Sequence, residues 1–213
     1  MGVLRKIFKP RKIAGLTTFC YEKYLNAFLK YEGRNVKQPF ELYEGPPEFL
    51  PPRSPVFIFQ AGKNHRLRAI ARYIYSFEVE GWKAPPEDVA DKLLALYERE
   101  GIIAHDTREE LVKFCSKKRG VRGVFIFDKI IEIRYSEPSK WIRKRDFIER
   151  FKGKQPYAQG FPYRYLSMED VEKLINLILV RAENGEDIAR FLICSFPYGK
   201  DIVEKFLISP LKV

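Results

Sequence analysis

The chain has 213 residues, enough for one large domain or for one barrel with a helical appendage, and its 46% hydrophobic and 15% aromatic content argues against disorder. Lys and Arg number 39 against 28 Asp and Glu, a net charge of +11 that makes nucleic acid the leading class of partner, with thermophile-style surface charge as the bland alternative. Three widely spaced cysteines (Cys20, Cys115, Cys194) and two histidines, without a CxxC pair, exclude a disulfide framework and give no expectation of a metal or cofactor. Arg5, Lys6 and Lys9 break the N-terminal apolar stretch, and no 18-residue uncharged apolar run follows. The expectation is therefore a cytoplasmic protein with reduced thiols, no signal peptide and no membrane partner.

In chain order, residues 1–12 read as a short strand and a basic arm with five cations and no acid. From Thr18 to Tyr31, the side chains of Phe19, Tyr21, Tyr24, Leu25, Phe28 and Leu29 recur at helical spacing, which predicts a helix with its apolar stripe turned to the core. Six prolines between positions 33 and 55 cannot sustain a helix. They predict an extended loop with at most a short strand near Phe40–Tyr43. Val56–Phe59 and Leu67–Val79 read as antiparallel strands joined by the polar hairpin Gly62-Lys63-Asn64-His65-Arg66. Pro85-Pro86 before Glu87-Asp88 opens a helix with Val89, Leu93, Leu94, Leu96 and Tyr97 inward, and Gly101 stops it. Asp106 or Thr107 caps a second helix that runs to about Cys115. A basic turn, residues 117–123, then leads into the apolar strand Val124–Ile133. Ser167-Met168-Glu169-Asp170 is a capping box for an amphipathic helix reaching about Arg181. Asn184-Gly185 ends that helix, and Glu186–Cys194 and Lys200–Leu207 read as shorter ones.

The chemistry-bearing residues fall into patches. Between 140 and 154 seven cations are interleaved with Trp141, Phe147 and Phe151, and Tyr157 follows; Lys140, Arg143, Lys144, Arg145 and Lys154 are the candidates for phosphate contact. Cations neutralise phosphates, and aromatic faces stack bases or pack arginine stems. The hairpin cations Lys63, Arg66 and Arg68, beside His65, and the turn Lys117, Lys118, Arg119 and Arg122 could extend the same surface. The glycine- and aromatic-rich run 153–165 offers amide and hydroxyl contacts. No Ser/His/Asp set, P-loop, HExxH or GxGxxG is present.

The proline turn Gly45-Pro46-Pro47-Glu48-Phe49-Leu50, the strand Val56-Phe57-Ile58-Phe59, the polar hairpin, a second strand, helices and the strand Val124–Ile133 follow one another in an order. That order resembles the ASCH and EVE branches of the PUA-like superfamily, of archaeal type. The resemblance implies an α+β fold: a PUA-like mixed β-barrel over 1–166 with a helical insert at about 84–116, and a C-terminal helical segment, 167–213, packed on it. It also implies binding of RNA or modified DNA in a basic, aromatic-lined cleft that holds one modified or flipped base. Residues 124–180 resemble EVE and YTH domains. YTH domains cage a methylated adenine between tryptophans, so Trp82 and Trp141, with Tyr157 and Tyr163, are the base-pocket candidates here. Some ASCH proteins are RNA nucleases or amidohydrolases of acetylated cytidine, and ASCH domains often show Gly-x-Lys-x-x-Glu-x-Arg before the proline turn. The nearest stretch here has Gly33, Lys37 and Glu41 at stretched spacing, with Tyr43 in place of the arginine. In an enzyme Lys37 and Glu41 would be the acid–base couple. A binding role is preferred to catalysis; a third reading is an adaptor that docks through its C-terminal helices and supplies specificity to a partner that carries the catalysis.

Overall fold

The computed structural model describes residues 13–208 apart from 44, 63–64, 118–119, 152, 154 and 158–162. The basic arm at 1–12, Lys63, Lys118, Arg119, Lys154 and the middle of the 153–165 run lie outside the described residues. Six strands form one curled sheet, an open half-barrel: β1 (Ile13–Tyr21), β2 (Gln38–Leu42), β3 (Pro55–Ala61), β4 (Arg66–Glu78), β5 (Gly123–Glu132) and β6 (Tyr163–Ser167), in the spatial order β2-β5-β4-β3-β1-β6. Only β1 and β3 run parallel, with Leu16 beside Val56 and Phe19 beside Phe59. The predicted pair around the hairpin is antiparallel, Phe57 facing Ile70, and β5 lies along the other side of β4.

The sheet is buried on both faces, which is why its strands read as continuous apolar runs. Val56 and Ile58 point into the concave side with Phe125 and Phe127. Phe57 and Phe59 point to the convex side. Val124 and Ile126 meet a third cluster beneath α2 (Pro86–Glu100) and α3 (Arg108–Cys115). Each fully buried Phe contributes about 1.5–3 kcal/mol by removal from water. The convex cluster carries α4 (Lys144–Arg150), α5 (Met168–Arg181), α6 (Gly185–Ser195) and α7 (Gly199–Ile208). The C-terminal helices are tied back to the sheet by the Tyr198 hydroxyl, which donates to Ala14 O, and by Asn184, which donates to Glu132 O at 2.8 Å.

The start of the first helix departs from the sequence expectation. Helical spacing was expected from Thr18, but Thr18–Tyr21 finish β1 and the helix α1 covers only Glu22–Leu29. Phe19 and Tyr21 fit a period of two as well as a helix, and the parallel pairing with β3 decides for the strand. Leu25 and Phe28 then cover the concave core. Gly101 ends α2 in the left-handed conformation, φ 63°. The second cap falls on Thr107, whose hydroxyl accepts from Glu110 N at 3.2 Å. Among the described residues no helix is long and apolar enough to cross a membrane.

Candidate functional site

A cavity of about 110 Å³ opens where the C-terminal end of β1 and α1 approach the edge strand β2. Phe19, Cys20 and Tyr21 line it from β1, Tyr24 and Phe28 from α1, and Phe40, Glu41 and Tyr43 from β2 and its end. The helical insert closes it with His105, Asp106 and Phe114. Its walls are thus mostly aromatic rings, with the side chains of Glu41, His105 and Asp106 among them.

Glu41 is the central polar group. The Tyr97 hydroxyl, deep under α2, donates to its Oε1 at 2.8 Å. Burial pushes the Glu41 carboxyl up to about 7, and the nearby Asp106 charge adds to this against the Tyr97 hydrogen bond. Asp106 is itself pushed up, first by burial and then by Glu110. The Lys23 ammonium pairs with Glu110 rather than with Asp106. His105 presents Nε2 to Gln38 Oε1 at 2.8 Å and sets its ring edge-on to Phe28. Burial pushes its pKa down to about 4, so it is neutral near pH 7 and donates from Nε2 to the Gln38 carbonyl. Burial pushes the Cys20 thiol far up, which leaves it protonated and without nucleophilic character.

Beside the cavity lies a cationic arc built from two distant segments. An isolated bridge pairs Arg66, just after the hairpin, with Arg143, and Lys144 N donates to His65 O at 3.2 Å. The guanidinium of Arg66 sits 4.4 Å from the centre of the Trp141 ring and that of Arg143 sits 5.5 Å from it. The Arg66 Nε is buried and has no hydrogen-bond partner among the described residues. The Lys144 ammonium lies 4.7 Å over the Tyr157 ring, and the Tyr157 hydroxyl is 2.7 Å from His65 Nδ1. Thr17 fixes this segment by donating its buried hydroxyl to Pro156 O at 2.6 Å. Tyr157 in turn packs on Phe19, ring centres 4.7 Å apart, and Phe19 is a wall of the cavity. Phe19 packs on the cluster beneath the arc, whereas Cys20, Tyr24, Phe28 and Phe40 of the cavity belong to the cluster on the other face of the sheet, so arc and cavity meet at the end of β1.

The structure brings together Arg66, Trp141, Arg143, Lys144 and Tyr157. Arg145 and Lys140 are exposed nearby in sequence. Arg68 instead turns inward to Glu132 at 2.9 Å, Glu22 at 3.5 Å and Gln60 at 3.2 Å. Trp82 lies elsewhere, under the Arg122 guanidinium at 4.0 Å, on the side of the insert. Gly120 turns against it with φ 59°, where a Cβ would come within 3.2 Å of Trp82 O. Neither tryptophan lines the cavity. Lys117 stands over the rings of Tyr43 and Phe114, at 5.4 and 5.2 Å, and so brings a cation to the cavity wall. The Tyr163 hydroxyl donates to Gly45 O at 3.0 Å and steadies the proline loop. Lys37 donates to Glu100 O at 3.0 Å, and it forms no ion pair with Glu41 among the described residues. Sequence reasoning missed Tyr97, His105 and Asp106. The signal for Asp106 was its place next to the cap: once Thr107 takes the capping role, the neighbouring carboxyl is left for the cavity.

No family model and no curated sequence matches the chain. Solved structures do. The ASCH protein from Zymomonas mobilis superposes with a TM-score of 0.53 at 13% identity, over 77% of this chain and 95% of that one. A tyrosine-to-phenylalanine variant of the same protein gives 0.51 at 14% identity, over 77% and 98%.

Proposed function

With the ASCH-type, PUA-like fold as its frame, we propose that the chain binds nucleic acid, RNA or modified DNA, along the Arg66–Arg143–Lys144 arc and holds one base in the aromatic cavity. The observation that carries this reading is Phe19, which packs on Tyr157 of the arc and forms a wall of the cavity. A backbone held by the arginines would round the end of β1 to reach this hole. A cavity of about 150 Å³ takes a benzene ring, so about 110 Å³ with an open mouth admits the edge of one base, with the rest of the ring system at the mouth.

The test is a fluorescence titration with single-stranded RNA and single-stranded DNA at low and moderate salt. The expected result is affinity on the order of 10 μM or tighter at low salt, falling steeply as salt rises. Absence of binding to both at that protein concentration refutes the reading. Incubation with a panel of modified nucleosides, followed by mass analysis, checks it from the other side: a binding protein yields no new product.

A further inference from the structure

The cavity holds two carboxyl groups, Glu41 from the edge strand β2 and Asp106 from the link between α2 and α3. Among the described residues neither forms an ion pair, since Lys23 is taken by Glu110. Tyr97 fills one acceptor site on Glu41; a carboxylate has about four. The aromatic walls offer faces for stacking, the hydroxyls of Tyr21, Tyr24 and Tyr43 can either donate or accept, and His105 spends its Nε2 on Gln38. In a chain of net charge +11 the hole therefore presents two carboxyl groups that have no ion-pair partner among the described residues, with Lys117 over the rings of Tyr43 and Phe114 at its wall.

Base edges differ in how they meet such acceptors. Cytosine and adenine present an exocyclic amino group, a donor, and carboxylates accept from cytosine N4. At pH 8, where Glu41 is ionised and where the comparison below is made, the carbonyl oxygens of uracil and thymine at the corresponding place would face carboxylate oxygens without a proton between them. We propose that the cavity selects a nucleobase bearing an exocyclic amino group, read jointly by Glu41 of the barrel and Asp106 of the helical insert. The inference rests on the nucleic-acid reading above and adds the insert to it: α2 and α3 complete the specificity site. Tyr97 acts one step back, as a positioning residue that holds the Glu41 carboxyl in place.

The experiment compares, at pH 8, RNA homopolymers of cytidine, adenosine and uridine, equal in length, against the wild-type protein and the Glu41→Gln and Asp106→Asn variants, each checked by thermal melting. The wild type should bind the cytidine and adenosine polymers on the order of tenfold or more tightly than the uridine polymer. Either amide variant should bring the ratio towards one, because an amide offers a donor as well as an acceptor. Equal affinity of the wild type for all three overturns the inference while leaving nucleic-acid binding intact, as does an unchanged ratio in the folded variants. If no polymer binds, the nucleic-acid reading falls and this inference falls with it. Should one variant fail to fold, the other and the wild-type ratio still decide.

Discussion

Folding moves a proton between two residues of the cavity, and the pH dependence of stability should show it. Glu41 rises from an ordinary 4.5 to about 7, chiefly through burial, and His105 falls from 6.5 to about 4 for the same reason, with Lys30 adding to the fall. Between about pH 4.5 and 6.5 the unfolded chain therefore carries an ionised Glu41 and a protonated His105, whereas the folded protein carries both neutral. The two signs are opposite. Glu41 binds its proton more tightly when folded, so its contribution to stability declines as pH rises from 4.5 through 7. His105 binds its proton more tightly when unfolded, so its contribution declines as pH falls from 6.5 through 4. At 1.36 kcal/mol per pH unit, each displacement corresponds to about 3 kcal/mol, an upper bound because both side chains keep some surface at the cavity. Asp106, pushed up by burial, adds in the direction of Glu41, while Tyr97, Cys20 and Cys115 are pushed up and stay neutral throughout the window.

In the wild type the two slopes largely cancel, and single variants should expose them. Glu41→Gln keeps an acceptor for the Tyr97 hydroxyl and removes the titration. Its stability relative to wild type should improve by about 2–3 kcal/mol between pH 4.5 and 7.5. His105→Gln should gain on wild type as pH falls from about 6.5 to 4, by a smaller amount on the order of 1–2 kcal/mol, because the imidazole is partly exposed to solvent. Urea unfolding followed by circular dichroism at four pH values measures both. Because other groups titrate alike in each protein, they drop out of the difference. Curves for Glu41→Gln and wild type that run parallel across the range would refute the burial of Glu41 in the cavity wall.

The remaining predictions concern the arc. Trp141→Ala should weaken oligonucleotide binding by about 1–3 kcal/mol without altering the salt slope, if its ring stacks a base as well as the two guanidinium groups, as titrations at several salt concentrations would show. Arg66→Ala combined with Arg143→Ala should lower the salt slope by about two, whereas Arg68→Ala, whose cation is held by Glu22 and Glu132, should leave the slope unchanged and lower the melting temperature. Thr17→Val removes the buried donor to Pro156 O and should cost about 1–3 kcal/mol in chemical unfolding; an unchanged midpoint would show that the 155–157 segment is held otherwise.

The strands around the hairpin, the prolyl start of α2, the Ser167 capping box and the short C-terminal helices were legible in the sequence because each is specified by a local pattern or cap. The end of β1 was not, because Phe19 and Tyr21 satisfy two periodicities and the deciding partner, β3, lies some forty residues away. The site followed the same division. Its cations were identifiable by type and density, yet Arg66 and Arg143 are neighbours only through a bridge that joins distant segments, and Trp82 and Trp141 are held apart on different parts of the surface. Lys37 and Glu41 lie four residues apart but serve different partners, since β2 turns Glu41 towards Tyr97 and leaves Lys37 at the end of α2.

Charge density and site chemistry therefore point in opposite directions in this chain. On the nucleic-acid reading the surplus of lysine and arginine would govern where a polyanion settles, a contribution that is the same for every sequence. On that reading selectivity would come from Glu41 and Asp106, two acids with no ion-pair partner among the described residues, set among the aromatic rings of the cavity. Removing the arginines and removing the acids should thus produce different failures. Loss of Arg66 and Arg143 should weaken every oligonucleotide by a similar factor. Loss of Glu41 or Asp106 should leave the mean affinity near that of wild type and erase the difference between amino-bearing and carbonyl-bearing bases. A variant in the acids that lost affinity uniformly would show that the cavity supports the fold of the arc rather than reading a base.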